Sequence, residues 1–130
     1  VNLASRLEAV NKIYGTSTLL SEACFRLVEG HFLVRELDLV QVYGRQQPVA
    51  IYELLGEKTD NNPPEWVGAF SQGLQSYRDL QWSLAENCFQ EVLRLKPEDP
   101  PARVFLNRIN YFRQQPPASG WHGVFVLEGK

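Results

Sequence analysis

Residues 56–64 read Gly-Glu-Lys-Thr-Asp-Asn-Asn-Pro-Pro, a polar run crowded with residues that break helices and strands. A regular element does not pass through such a run, so the chain is expected to fold in two parts joined by a linker at 58–65. The parts differ in pattern. Before the linker, helix and strand signals alternate; after it, the signals are almost all helical. A length of 130 residues allows one ordinary domain or two small ones. Hydrophobic residues at 44% and charged residues at 22% match a folded globular protein. The net charge of −2 comes with no basic stripe of the kind that tracks a phosphate backbone, so no nucleic-acid partner is expected. No apolar run approaches the ~20 residues that span a bilayer.

In the first part, Leu3, Leu7, Val10 and Ile13 recur at spacings of three and four, which predicts a helix over 1–14 with one apolar face. Gly15 stops it. Residues 16–20 read as a short strand. Ser21 is the expected N-cap of a helix running to about Val28, with Glu22 in its first turn. Residues 32–42 and 47–55 then form two extended segments around a turn centred on Gly44, an antiparallel hairpin. The apolar alternation of the first segment changes phase near Glu36-Leu37, as a bulge would make it do.

In the second part, helices are expected over 66–79, 82–95 and from Pro100-Pro101 to Pro116-Pro117. Their apolar faces are read as Ala69, Phe70, Gly73, Leu74 and Tyr77, then Leu84, Ala85, Cys88, Phe89, Val92 and Leu93, then Val104, Leu106, Ile109, Tyr111 and Phe112. Residues 120–127 are aromatic and β-prone and are expected to fold back onto the helices. Cys24 and Cys88 each lie in an apolar helical pattern and are expected to be buried thiols in a reducing compartment, since their spacing is not that of a zinc site.

Chemistry gathers at the start and at the hairpin. Asn2 and Arg6 lie four apart on the first predicted helix, so both side chains leave one face. By spacing alone they also read as a surface Asn near a helix start and a surface Arg pairing with Glu8. Their context is more specific. Val1-Asn2-Leu3-Ala4-Ser5-Arg6-Leu7-Glu8 resembles the V-N-x-A-x-R-L-E helix of class III adenylate and guanylate cyclases, and Tyr14-Gly15-Thr16 follows at the family's spacing. Residues 37–45 with Pro48-Val49-Ala50-Ile51-Tyr52-Glu53-Leu54 resemble the family's terminal hairpin, V-K-G-K followed by P-V-x-V-Y-E-L. The resemblance covers residues 1 to about 56.

It implies an α+β fold: residues 1–57 as the C-terminal part of a ferredoxin-like cyclase domain, helix–strand–helix–hairpin, with an all-α tail over 66–130. It implies that Asn2 orients the ribose and Arg6 meets the transferring phosphate as the 3′-oxygen attacks the α-phosphate and expels pyrophosphate. An Arg suits that role because its planar fork stays charged and grips oxygens in pairs. The family's phosphate-contacting Lys is replaced by Tyr43, which is neutral near physiological pH. Phosphate binding is therefore expected to be weakened or passed to Arg45. Mg²⁺ or Mn²⁺ would be held by aspartates on earlier strands that this chain does not contain, as would the base-selecting residues. The implied parent is a homodimeric, cytoplasmic enzyme acting on ATP, with GTP as the alternative, tethered through any upstream membrane segments. The sequence, with no initiator Met and a start in mid-motif, is read as part of a longer protein, inactive alone. Asp38, His31 and His122 are read as structural or surface residues.

Gly73, Ala85, Phe89 and Pro97 fall at the small, small, aromatic and proline positions of a tetratricopeptide repeat, which the tail resembles over one repeat and one further helix. Similar tails ending in a Trp-Gly segment occur in bacterial cyclases. The competing expectation is a non-catalytic module: a degenerate cyclase end that dimerises or binds a protein partner through the helical tail.

Overall fold

The computed structural model describes residues 3–42, 44, 47–58 and 63–127, with the backbone alone for 3–7. They form an α+β fold of five helices and one four-stranded mixed sheet. In chain order these are α1 (Leu3–Tyr14), β1 (Leu19–Ser21), α2 (Glu22–Val28), β2 (Phe32–Gln41), β3 (Val49–Glu57), α3 (Glu65–Arg78), α4 (Trp82–Leu95), α5 (Pro100–Gln114) and β4 (Val124–Val126). Two compact units result: one of Val1–Asn61 with Val124–Lys130, the other of Asn62–Gly123.

The first unit is built on a sheet of order β1-β3-β2-β4. The β2–β3 hairpin is antiparallel, β1 pairs antiparallel with β3, and β4 runs parallel to β2. Short helices start and stop where local chemistry directs them. Gly15 takes φ +71°, a backbone that L side chains avoid, and the Thr16 N–H reaches back to the Asn11 carbonyl at 3.0 Å. That bond satisfies one of the orphan carbonyls at the end of α1. Ser21 caps α2 by accepting from the Cys24 N–H at 3.3 Å. The Phe25 ring of α2 lies flat on Tyr52 of β3, centroids 4.2 Å apart.

A bulge in β2 decides which side chains are covered. Glu36 stands opposite Tyr52, but Asp38 stands opposite Ile51, so Leu37 is the extra residue. Glu36 and Asp38 are two apart and would share a face in a regular strand. Across the bulge they do not, and Asp38 turns to the face of Ile51. Leu37, Asp38, Val40 and Ile51 are all fully buried. The phase change in the sequence is this bulge.

The second unit packs three helices around aromatic rings. Phe70 on α3 meets Phe89 on α4 and Phe105 on α5 edge-on, at 5.3 and 5.8 Å between centroids. Phe89 and Phe105 stack at 5.2 Å. Gly73 lets α3 and α4 approach closely: a Cβ there would sit 3.0 Å from the Phe89 ring and 3.1 Å from Cys88. Asp99 caps α5 through the Ala102 N–H, with Pro100 and Pro101 in the first turn, where a missing N–H costs nothing. Among the described residues no helix is long and apolar enough to cross a membrane.

Three expectations change. Cys24 is exposed rather than buried, because α2 has only seven residues and lays Phe25, not Cys24, on the sheet. Cys88 is half-buried, and burial pushes its thiol up from the ordinary thiol range. Leu84 and Tyr111 are 56% and 57% exposed, while Val67, Pro101, Ala102 and Phe105 are buried residues that the apolar-face reading left out. The last segment divides. Trp121 does pack on the helices, against Tyr77, Trp82 and Phe112. Val124–Val126 instead joins the sheet beside β2, where backbone groups of an open edge take up its own.

Candidate functional site

Of the residues expected to do chemistry, Asn2, Tyr43 and Arg45 lie outside the described residues. Arg6 lies in the described backbone of α1, two turns before Tyr14, but its side chain is outside the description. What the structure does describe is the frame on which these positions are mounted: the helix α1 and the hairpin β2–β3.

The hairpin carries its turn on a firm ladder. Val40 pairs with Val49 as the last register before the turn, and Gly44 within it takes φ +86°. On the outer side of β2, the Leu127 N–H donates to the Gln41 carbonyl at 2.9 Å, one residue before Val42. Both sides of β2 are therefore hydrogen-bonded up to its C-terminal end.

The helix is fixed at its C-terminal end. Val10 and Tyr14 are the buried residues of its described part. The Tyr14 hydroxyl donates to Asp38 Oδ2, a bond between two fully buried groups. The other oxygen, Oδ1, accepts from the Leu39 N–H at 2.7 Å. A buried carboxylate without such partners would be strongly unfavourable. Both oxygens of Asp38 thus serve the fold.

A second pair, a buried Arg35 and a half-buried Glu53, lies on the same sheet face. Arg35 stands opposite Glu53 across β2–β3, with Nη2–Oε1 at 2.6 Å and Nε–Oε1 at 2.8 Å. The Arg35 side chain is 2% exposed, so its charge is spent on Glu53. Neither pair was named from the sequence. The signal for Asp38 was present, since a phase change between Glu36 and Leu37 implies that Asp38 turns inward. The signal for Arg35 was absent, because an Arg in a strand reads as solvent-facing unless its partner's register is known.

The described residues do not form a metal centre. No group of three or more His, Cys, Asp or Glu among them is placed to hold an ion, and Asp38 has committed both oxygens. His31 is exposed, and so is His122, whose Nδ1 lies 3.3 Å from the Gly120 carbonyl oxygen.

Against this geometry stands the comparison with known proteins. The chain is 28% identical over 114 residues to "Adenylate cyclase, terminal-differentiation specific" of Dictyostelium discoideum, a match over 83% of this chain and 5% of that protein. It is 43% identical over 56 residues to "Adenylate cyclase 1" of Rhizobium meliloti (strain 1021), over 43% of this chain and 8% of that protein. This chain is similar to adenylate cyclases. It spans less than a tenth of the length of these two curated relatives. No family model matches the chain, and no solved structure matches it. A match over 83% of the chain necessarily enters both units, so the likeness is not confined to the sheet. These similarities support a cyclase-related role.

Proposed function

We propose that this chain is part of a nucleotide cyclase that converts ATP to the 3′,5′-cyclic nucleotide and pyrophosphate. The observation that carries the reading is the similarity to two adenylate cyclases from distant organisms, one match reaching across both units. In this reading Asn2 orients the ribose and Arg6 neutralises charge that builds on the α-phosphate as the 3′-oxygen attacks. Fixed positive charge at that point is worth most in the transition state. Arg45, with Tyr43 at the position where a lysine is usual, would meet the polyphosphate. In this reading Mg²⁺ or Mn²⁺ would be held by aspartates on earlier strands outside this chain. The site would be completed across a homodimer, in the cytoplasm, with the tetratricopeptide-like helices available to a protein partner.

The test is turnover in a complete protein that carries these residues. Cyclic nucleotide should form from ATP, or more slowly from GTP, with Mg²⁺ or Mn²⁺. Arg6→Ala should lower kcat by about 100-fold or more, the scale seen when one transition-state donor is removed. The 130 residues alone should give none. Unchanged turnover in Arg6→Ala, or turnover by the isolated chain, would overturn the assignment. A second reading, a non-catalytic dimerisation module, is favoured by Tyr43. It predicts that the complete protein makes no cyclic nucleotide under any of these conditions.

A further inference from the structure

We infer that Tyr14 and Asp38 are positioning residues for the proposed cyclisation: their buried hydrogen bond sets the rotation and height of α1, and so the place of Arg6. The inference rests on the cyclase reading and adds a role that neither the spacing of the sequence nor the comparisons assign.

The sheet departs from regularity to make this bond. Without the bulge at Leu37, Asp38 would share the face of Glu36 and Tyr52. With it, Asp38 joins Ile51 under α1, where Tyr14 meets it. Bulges commonly re-aim one side chain in this way. The result is a carboxylate removed entirely from solvent. An apolar residue there would fill the space with no desolvation cost, and replacing buried polar pairs by apolar residues is often neutral or stabilising. What an apolar contact lacks is direction. Apolar burial such as that of Val10 permits a helix to roll or slide. A hydroxyl bound to one oxygen of a carboxylate, whose other oxygen is tied to the Leu39 N–H at 2.7 Å, permits neither. The backbone reinforces the fix, because α1 ends at once in the left-handed Gly15 cap.

The helix then acts as a lever. Arg6 lies eight residues from Tyr14, ~12 Å along the axis at ~1.5 Å per residue. A tilt of roughly 5° at Tyr14 moves the Arg6 backbone by about 1 Å over that length. A displacement of about 1 Å in a reacting array can cost on the order of 100-fold in rate.

Tyr14→Phe removes the donor but leaves a buried carboxylate short of a partner, so folding is a confounding effect. Tyr14→Phe/Asp38→Asn removes the orphaned charge as well and keeps the volume. In Asp38→Asn alone the amide oxygen can still accept from the Leu39 N–H, while the amide NH2 donates to the Tyr14 hydroxyl oxygen, so a hydrogen bond between the two side chains survives. In the complete protein, the double variant should be folded, with kcat about 10- to 100-fold lower and KM changed by no more than about 3-fold. Asp38→Asn should retain most of the wild-type kcat. In the 130-residue chain, hydrogen exchange of the α1 amides should quicken roughly 5- to 10-fold in the double variant while β2 and β3 amides hold, the effect of one lost hydrogen bond at the helix. Wild-type kcat in the folded double variant would overturn the inference, as would unchanged exchange in α1. Absence of turnover in the unaltered complete protein would instead sink the cyclase reading, and the exchange result would still report on the bond.

Discussion

The two cysteines show how a single position's surroundings set its chemistry. Cys24 stands exposed on a seven-residue helix, while Cys88 is half-buried beside Gly73, its thiol pushed up by burial. Thiolate is the reactive form, and access sets the rate at which reagent meets it. In the native chain a thiol reagent near neutral pH should modify Cys24 first, with Cys88 reacting at least about 10-fold more slowly. The raised value means that Cys88 gains reactivity only as pH climbs above the usual thiol range. Mass spectrometry after timed alkylation checks this; equal rates would contradict the burial of Cys88. Buried charge is handled at the same scale by pairing. Arg35, buried, is paired with half-buried Glu53, and buried Asp38 with Tyr14, at places where an unpaired buried charge would be strongly unfavourable.

Two helices end in the same way with different residues. At the end of α1 the left-handed position is Gly15, at φ +71°. At the end of α3 it is Leu80, at φ +64°, with the Gln81 N–H reaching the Ser76 carbonyl at 2.9 Å and the Leu80 N–H reaching Tyr77 at 3.1 Å. A leucine in that region is strained by roughly 1–2 kcal/mol, and its side chain is 46% exposed, so little burial offsets the strain. Leu80→Gly should therefore stabilise the helical unit by up to about 1 kcal/mol after the flexibility of glycine in the unfolded chain is counted. Thermal or urea unfolding measures it, and a loss of stability would show that the Leu80 side chain matters more to packing than its exposure implies. The α3–α4 crossing depends on a glycine in the opposite sense: Gly73 is needed for space rather than for φ.

At the scale of the whole molecule, the chain order and the units do not coincide. The helical unit closes at Gly123, and the next three residues belong to the sheet of the first unit. Gly123 itself takes φ +109°, and a Cβ there would lie 2.5 Å from the Arg78 side chain. β4 covers the edge of β2 that would otherwise present free N–H and C=O groups to other chains. Phe125→Pro removes one donor and forbids regular pairing at that point. It should raise exchange of β2 amides next to β4, leave α3–α5 protected, and increase self-association. Protected β2 amides in this variant would mean that β4 does not hold the edge.

The helices, the Ser21 cap, the hairpin and the place of the bulge were legible in residue order. Each rests on local chemistry: periodicity, a capping hydroxyl, a proline, a glycine. The motif positions of the candidate site, Asn2, Arg6, Tyr43 and Arg45, were likewise named from residue order, and the structure adds the frame that carries them rather than their side chains. Three matters needed the tertiary structure. The bulge could be located in sequence, but its consequence, Asp38 beneath Tyr14, depends on α1 lying over that face of the sheet. The pairing of Arg35 with Glu53 depends on hairpin register. The docking of Val124–Val126 beside β2 joins residues more than eighty positions apart, a contact that no local pattern encodes.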